Sequence, residues 1–435
     1  MIRRKSLLTK IKITFSITML LLSTGCYDHV EVDELVYVVS MGIDSGVNGN
    51  LRISLLFAIP ISIGVGPEPG EVDKATTMIT VEAPTIYGGV NIINTVIGKD
   101  VNFSHSKVII ISKELAEKGV GKFMNTFNKY REFRPNTFIG IARGTAEEFL
   151  KETKPVLEVN PAKYFELLME SYSITGFTTG STLEEFYKTM ECTCMESVAV
   201  LLDVNKIESS DEFEGLFKKT QINKSNEGSE GNHKAGEIPV IFDNKANGMG
   251  MAIFRADKMV GEMNGRETLC YLVVSNMLGH VLYSIPETDN GSISDDGKFI
   301  SLRLKQARKS TINVKMNGDV PVINIKIFLE GDILSIDGDK NYFEGEELKE
   351  LEKYAGEYMR NELVNFLEKT RSEFKSDICG TGRTLKRTFL FWDEWLAFRW
   401  SDKYEKAEFE VSAKVSVRRT GMTIKQVPAA NMKGE

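Results

Sequence analysis

One histidine of the chain lies among side chains that could transfer a proton or bind a partner. His105 stands between Ser104 and Ser106, and Lys107 follows. An imidazole next to hydroxyl groups and an ammonium could act as a general base or as a contact residue. The same pattern fits a histidine at a strand edge whose neighbouring hydroxyls satisfy the ring, and we favour this interpretation. We therefore keep His105 and Lys107 as candidate partner contacts and not as catalytic residues.

Two segments begin like known ligand-binding loops but lack residues that such loops require. "GVGKF" at 119–123 follows Ala116 where a phosphate-binding loop needs glycine, and it has Phe123 where serine or threonine would bind magnesium. The segment that starts at Asp337 resembles a calcium loop, yet Tyr342 occupies the position of its glycine. Neither His-Glu-x-x-His nor Gly-x-Ser-x-Gly occurs in the sequence. We predict no catalytic, cofactor-binding or metal site.

The tryptophans lie close together in one aromatic segment near the carboxyl end, as Trp392, Trp395 and Trp400. Exposed tryptophan is typical of binding hot spots, which would make this segment a partner surface. Tryptophans clustered beside a strand are more often part of a core, and we favour that interpretation. Trp392 and Trp395 nevertheless stay candidate partner contacts.

Four cysteines follow Cys26 in the chain, namely Cys192, Cys194, Cys270 and Cys379. A single residue separates the first two, and this spacing disfavours a mutual disulfide on geometric grounds. No histidine lies near that pair, so a zinc site lacks ligands at a usable spacing. We predict that these cysteines are thiols in the core or at its edge.

The first 26 residues have the pattern of a secretory leader that ends at a cysteine. Basic residues come first, and an apolar stretch of about ten residues follows at 13–22, too short to cross ~30 Å of hydrocarbon. Small residues at 23–25 directly precede Cys26. This arrangement resembles the bacterial lipobox, in which the cysteine thiol receives a diacylglyceryl group and the leader is removed. Two or more acyl chains hold a protein stably at a bilayer. We predict an outward-facing protein anchored through Cys26.

The composition and net charge of the chain argue against some classes of function. The chain of 435 residues carries a formal net charge of −7, and removal of the basic leader makes it more acidic. Such a surface disfavours nucleic acid and offers no basic patch for anionic headgroups, so membrane attachment is expected to come from the lipid. With 42% apolar and 26% charged residues the chain is an ordinary globular one.

Hydrophobic patterns predict mixed helices and strands throughout the chain. Residues 26–150 alternate strands and helices, beginning with a hairpin at Asn48-Gly49 and including one helix over 113–130 and another with Thr145 as its N-cap. A tight turn at Ala256-Asp257 is predicted to join two later strands. Residues 151–205 read as mostly helical, "IPVIFDN" at 238–244 reads as a strand, and 60–74 and 218–237 read as loops. The remainder gives a strand series, a long helix over about 345–374 and a closing strand. These patterns predict an α+β fold.

Four separated blocks resemble the Ger(x)C-type lipoproteins, the GerAC-like C subunits of nutrient germinant receptors. The first is Cys26 with Tyr27-Asp28 and "VVSMGID", and the second is residues 102–150. The third matches "G-x-A-x-F-x-x-D-x-x-V-G" from Gly250 to Gly261, and the last is "SDICGTGRTL" with the tryptophan-rich segment. The family usually has Trp-Asp after the cysteine, so Tyr27 departs from its pattern.

The resemblance implies a non-enzymatic, lipid-anchored subunit at the outer face of the spore inner membrane. It would act with polytopic A and B receptor subunits to trigger germination by nutrients, without a cofactor or nucleic acid. The implied fold is three small mixed domains, each a sheet packed with helices, and the last an antiparallel strand series with one long helix. We place them at 26–150, 151–262 with a flexible insertion at 218–237, and 263–435, after a signal peptide at 1–25.

Two other functions stay open at this point. A solute-binding lipoprotein of a transporter would also be anchored and acidic, but it should form two similar α/β lobes around a cleft, which the strand-rich second half argues against. A surface hydrolase would need a nucleophile with a base, or a pair of carboxylates, in one pocket. The motifs give no sign of either arrangement.

Overall fold

The computed structural model describes residues 10–19, 31–59, 76–158, 160–206, 230–289, 292–293, 298–338, 342 and 345–419. Cys26, the predicted loop at 60–74 and the first part of the predicted insertion, 218–229, lie outside these residues. Residues 10–19, which belong to the predicted leader, are helical. Of the helices in the described ranges, none has the length and apolarity needed to cross a membrane.

The larger of two main sheets has nine strands and takes in most of the chain before residue 264. Its order is β3-β2-β1-β5-β6-β7-β8-β9, with β4 paired to β1. The strands are β1 (Leu35–Ser45), β2 (Leu51–Ala58), β3 (Thr76–Ala83), β4 (Asp100–Asn102), β5 (Val108–Ser112), β6 (Phe138–Ala142), β7 (Val198–Val204), β8 (Ala246–Arg255) and β9 (Lys258–Met263).

Helices cover both faces of this sheet, which explains why β5 is buried along its whole length. Ile109 and Ile111 of β5 belong to one apolar cluster, and Val108 and Ile110 belong to the cluster on the other face. The helices are α1 (Ile86–Ile97), α2 (Lys113–Lys118), α3 (Gly121–Lys129), α4 (Ala146–Glu152), α5 (Pro161–Glu170), α6 (Tyr172–Thr175) and α7 (Leu183–Glu191).

Local signals in this half of the chain fold as their residue types dictate. Asn48 and Gly49 both have positive φ, 56° and 82°, and they turn β1 into β2, which confirms the predicted hairpin. The hydroxyl of Thr145 accepts the amide of Glu148 at 3.1 Å, so Thr145 caps α4 as expected. The single helix predicted after residue 112 is instead α2 and α3, because Gly119 adopts a φ of 122° between them.

The second main sheet holds the strands that follow helix α8 (Gly265–Val274), in the order β10-β13-β14-β15. They are β10 (Val281–Pro286), β13 (Phe299–Asn317), β14 (Val320–Ile336) and β15 (Glu408–Arg419), with the short pair β11 (Thr288–Asp289) and β12 (Ser292–Ile293) beside them. The predicted long helix is confirmed as α9 (Gly345–Ser372), which packs on β15. Three short helices follow it, α10 (Gly382–Lys386), α11 (Trp392–Phe398) and α12 (Trp400–Tyr404).

Several details differ from the sequence-based expectations. The C-terminal strand series is not wholly antiparallel, because the connection through α9 to α12 returns β15 parallel to β14. Residues 198–204 are strand β7 and not part of a helix. Residues 238–244 form no strand, since the Asn205 side-chain amide donates to the carbonyls of Ile238 and Val240, each at 2.9 Å.

The described end of the predicted insertion, 230–237, lacks helix and strand as expected, but it is packed against the sheet. Ala235 is fully buried, and its amide donates to the Met249 carbonyl at 2.9 Å. A buried side chain and a backbone bond to a strand join this part of the predicted insertion to the sheet, and the flexibility of the insertion stays a prediction.

The α+β class is confirmed, with helices and strands in both halves of the chain. Strands from 26–150 and from 151–262 share the nine-stranded sheet, so the described residues form two main sheets where three were expected. One apolar cluster also joins β8 and β9 to α9 and the second sheet. The two sheets are unlike in size and topology, and they are not the similar lobes of a solute-binding protein. The three domain boundaries stay predictions.

Candidate functional site

The candidate site is built at the edge of the nine-stranded sheet where its parallel strands begin. β1, β5, β6 and β7 run in one direction. Val108 pairs with Ser40 and with Phe138, and the same register continues from β6 into β7, which starts at Val198. We call this edge the amino edge. The chain enters β1 at Leu35, nine residues after Cys26, so the amino edge receives the chain from the predicted anchor.

His105 and Lys107 lie at the amino edge, just before β5. The exposed His105 ring packs edge-on against Tyr37, with 4.6 Å between centroids, and the Ser104 hydroxyl bonds to Asn102 instead of the imidazole. Partial burial lowers the pKa of His105 below its ordinary value, and the positive charges of Arg134 and Lys107 lower it further. The lowered pKa favours the neutral ring at pH 7. Lys107 Nζ lies 2.6 Å from Glu166 Oε2. His105 and Lys107 therefore fit a binding surface better than an acid–base centre.

Trp395 and Trp400 are buried and anchor the segment 389–404, which we call the aromatic segment. Trp395 donates from Nε1 to the Thr193 hydroxyl at 3.1 Å and stacks on Trp400 with 6.4 Å between centroids. Thr193 precedes β7, so this contact places the aromatic segment at the amino edge. Trp395 is thus a positioning residue within the core, whereas Trp392 is 48% exposed and stays the candidate contact.

Asp377 is the centre of the polar contacts that hold the aromatic segment. Its buried carboxylate accepts from the Gly382 amide at 2.8 Å, from Trp400 Nε1 at 2.9 Å, and from the amide and hydroxyl of Thr381 at 3.0 Å. Burial raises the pKa of Asp377, against the effect of these four bonds. The Asp377 carbonyl also accepts the amide of Glu196 at 3.0 Å, which ties this turn to the start of β7.

Glu196 is a partly buried carboxyl beside this turn. Burial raises its pKa to about 7 from an ordinary value of 4.5, and the nearby Asp377 carboxylate adds to the increase. Its Oε2 accepts the Ala256 amide at 2.7 Å, which favours the charged form but does not outweigh the burial. Ala256 turns β8 into β9 with a φ of 54°, the tight turn that the sequence predicts.

The cysteine prediction is wrong for the first pair, because Cys192 and Cys194 form a disulfide. Their Cα atoms are 5.1 Å apart, inside the range that a disulfide spans. Thr193 between them adopts a φ of 51°, and this left-handed turn brings the two side chains together. Cys270 and Cys379 are buried thiols as predicted. The disulfide borders the Thr193–Trp395 contact and therefore belongs to the same site.

Exposed apolar side chains cluster on the outer face of the aromatic segment. Leu390 is 89% exposed and Phe391 is 66% exposed, and Trp392 and Leu396 lie one helical turn apart beside them. We call these four residues the apolar tip. Lys386 Nζ lies 4.2 Å from the centre of the Trp392 ring. The tryptophans marked this segment in the sequence, and Asp377 lies in the block "SDICGTGRTL", but the roles of Asp377, Leu390 and Thr193 did not follow from the sequence.

Metal ligands and the cleft beside the β1–β2 hairpin are the features of the described residues that bear on catalysis. Within the ranges that the structure covers, no three His, Cys, Asp or Glu side chains are grouped to hold a metal. An open cleft of about 430 Å³ beside the β1–β2 hairpin is lined by Glu114, Lys118, Lys122 and Asp257. Lys118 and Glu114 in that cleft pair with each other at 2.5 Å, one turn apart on α2. Ser45 lines the same cleft, and Lys118 Nζ donates to its hydroxyl at 3.3 Å.

The chain belongs to the GerAC-like family of spore germination proteins, the C subunits of germinant receptors. The family described as "Spore germination protein N-terminal domain" matches residues 28–203, and "Spore germination B3/ GerAC like, C-terminal" matches residues 249–421. These matches confirm the resemblance seen in the four sequence blocks. The family is one of receptor subunits and is not a known enzyme family.

Named relatives agree with this family over nearly the whole chain. "Spore germination protein KC" of Bacillus subtilis (strain 168) is 21% identical over 404 residues, 92% of each chain. "Spore germination protein GerQC" of Bacillus cereus is 21% identical over 320 residues, 73% of this chain and 75% of its own length. The crystal structure of the GerBC protein shares the fold, with a TM-score of 0.51 and 15% identity over 87% of this chain and 96% of that one.

Proposed function

We propose that the protein is a lipid-anchored, non-enzymatic subunit of a nutrient germinant receptor and acts with membrane-embedded A and B subunits to trigger germination. Its site of action is the outer face of the spore inner membrane. The observation that carries this proposal is the match of both halves of the chain to germination-protein families, on a chain whose leader ends at Cys26.

The fold supports anchoring through Cys26. The nine residues from Cys26 to Leu35 span at most about 30 Å when extended, so an acylated Cys26 would keep the amino edge close to the bilayer. Confinement to the membrane surface raises the effective concentration for partner subunits without any new contact. His105 and Lys107 lie at that edge and are our proposed contacts for a partner subunit.

Anchoring is tested by Cys26→Ala, which removes the only thiol that the proposal acylates. We expect the variant to leave the membrane fraction and the detergent phase on phase separation, and we expect a weaker germination response. Thr24→Ser is the matched control, because it changes the leader next to the cysteine but keeps a small residue, and it should behave as wild type. A Cys26→Ala protein that is soluble and fully active would refute the proposal.

The receptor role is tested by dipicolinic acid release from spores that lack the gene, across a panel of single nutrients. Loss of the response to one nutrient class, restored by the intact gene, is the expected result and also names the germinant class. A normal response to every nutrient would contradict a non-redundant receptor role. Calorimetric binding of a nutrient to the purified protein alone would instead favour a solute-binding function.

A further inference from the structure

The apolar tip is an exposed apolar surface, with Leu390 89% and Phe391 66% exposed and Trp392 and Leu396 each about half exposed. Leu390 and Phe391 precede α11, and Trp392 and Leu396 share its outer face, while Trp395 on the inner face holds the helix to the core. An exposed group of leucine and aromatic side chains has the composition of an interfacial membrane contact, in which aromatic rings lie at the level of the headgroups. A bilayer accepts such a surface without a complementary groove.

We propose that the apolar tip inserts into the interfacial layer of the bilayer that carries the acyl anchor, as a second membrane contact of the protein. This inference rests on the proposed anchoring through Cys26. It adds that the folded part of the chain is not free to swing on its tether, because two separate points hold it at the bilayer. The occupant of this surface is a lipid surface that contains anionic headgroups.

Local charge supports a lipid occupant. Arg383, Lys386 and Arg387 directly precede the tip, and no ion pair engages any of the three among the described residues. Lys386 lies over the Trp392 ring, a position from which its ammonium can reach headgroup phosphates while its stem covers apolar surface. The acidic Asp393 and Glu394 occupy the first turn of α11, where the helix dipole favours them. This basic surface is local, because the chain as a whole has a formal net charge of −7.

Sheet geometry places the tip and the anchor on the same side of the protein. β7 is the third strand from β1 along β1-β5-β6-β7, so their amino ends are separated by about 14 Å across the sheet. Thr193 lies between the end of α7 at Glu191 and the start of β7 at Val198, and its hydroxyl fixes Trp395 at this edge. A bilayer that holds the chain entering β1 is therefore within reach of the tip beside β7.

The tryptophan content makes a direct test feasible. The chain has three tryptophans, and Trp395 and Trp400 are only 2% and 3% exposed, so Trp392 alone can meet lipid. The full-length, lipid-modified protein is reconstituted into phosphatidylcholine–phosphatidylglycerol vesicles, with and without brominated acyl chains. If the three indoles emit similarly, insertion should quench about one third of the emission. Trp392→Phe is the matched variant, since it keeps an apolar ring and should abolish the quenching.

Each outcome of this test decides a separate point. Protein that floats with the vesicles but shows no bromine quenching overturns the inference and leaves anchoring intact. Protein that does not float overturns anchoring and, with it, the inference. Trp392 could instead be protected from both lipid and aqueous quenchers, which would overturn the inference. A doubled particle mass would then identify a second copy as the occupant. Protection only in the presence of the other receptor subunits would identify a protein partner. Stronger quenching in anionic than in purely zwitterionic vesicles is expected, and equal quenching would refute the charge argument.

Discussion

Replacement of Asp377 by alanine should cost more stability than any change at the surface of the aromatic segment. The substitution removes the acceptor of four hydrogen bonds and leaves their donors, on Thr381, Gly382 and Trp400, without a partner in a buried place. A hydrogen bond to a charged group contributes about 1.5–3 kcal/mol, but the buried carboxylate also pays for lost hydration. We therefore expect a net loss of about 3–5 kcal/mol, a large share of the stability of an ordinary domain.

Urea unfolding followed by tryptophan emission measures this loss, because Trp395 and Trp400 change from buried to exposed. Asp377→Asn should lie between alanine and wild type, since one acceptor oxygen remains and the amide group faces donors. Asp393→Ala is the matched control, an exposed aspartate in the same segment, with an expected change within about 0.5 kcal/mol. If Asp377→Ala lost no more than this control, the carboxylate would not hold the segment and our reasoning would fail.

Three further changes probe the same region. Since the pKa of Glu196 is raised to about 7 from 4.5, folded protein keeps a proton that unfolded protein releases, and the free energy of unfolding should fall by up to ~3 kcal/mol as the pH rises through this window. Glu196→Gln should flatten that fall in thermal midpoints between pH 5 and 8, and unchanged pH dependence would contradict the assignment. Reduction of the Cys192–Cys194 bridge should cost only ~1.5 kcal/mol because the bridge closes a very short loop. Alkylation of unreduced, unfolded protein should label Cys270 and Cys379 but neither Cys192 nor Cys194. In Gly261→Ala the new Cβ would lie 2.1 Å from an aromatic ring, so a loss of about 1–3 kcal/mol is expected, against almost none for Gly144→Ala.

Sequence patterns predicted the elements whose signals are local. The apolar spacing of α9, the Asn48-Gly49 hairpin and the Thr145 cap each depend on residues within one or two turns of chain. β7 was missed because it is buried on both faces and lacks alternation, so its apolar run does not differ from a buried helix. The parallel return of β15 was missed for another reason, since strand order depends on long connections that no short pattern encodes.

The candidate site shows the same difference between residues with local sequence signals and residues whose roles depend on distant parts of the chain. The tryptophans and His105 stood out by residue type, but their surroundings did not follow from type alone. Thr193 escaped notice because its role depends on a positive φ and on a tryptophan about two hundred residues away in the chain. Asp377 likewise depends on a tight turn and a distant indole, which only the folded chain brings together.

These long-range contacts also join the two halves that the family comparisons match separately. Trp395 Nε1 donates to the Thr193 hydroxyl at 3.1 Å, and the Glu196 amide donates to the Asp377 carbonyl at 3.0 Å, so residues of the first match contact residues of the second. Together with the Asp377 turn, they fix the aromatic segment to the large sheet and not only to its own half of the chain. Because the proposed anchor at Cys26 precedes β1 of that sheet, the position of the tip relative to the anchor depends on this junction. Loosening the junction should therefore weaken the proposed second membrane contact even when every residue of the tip is intact.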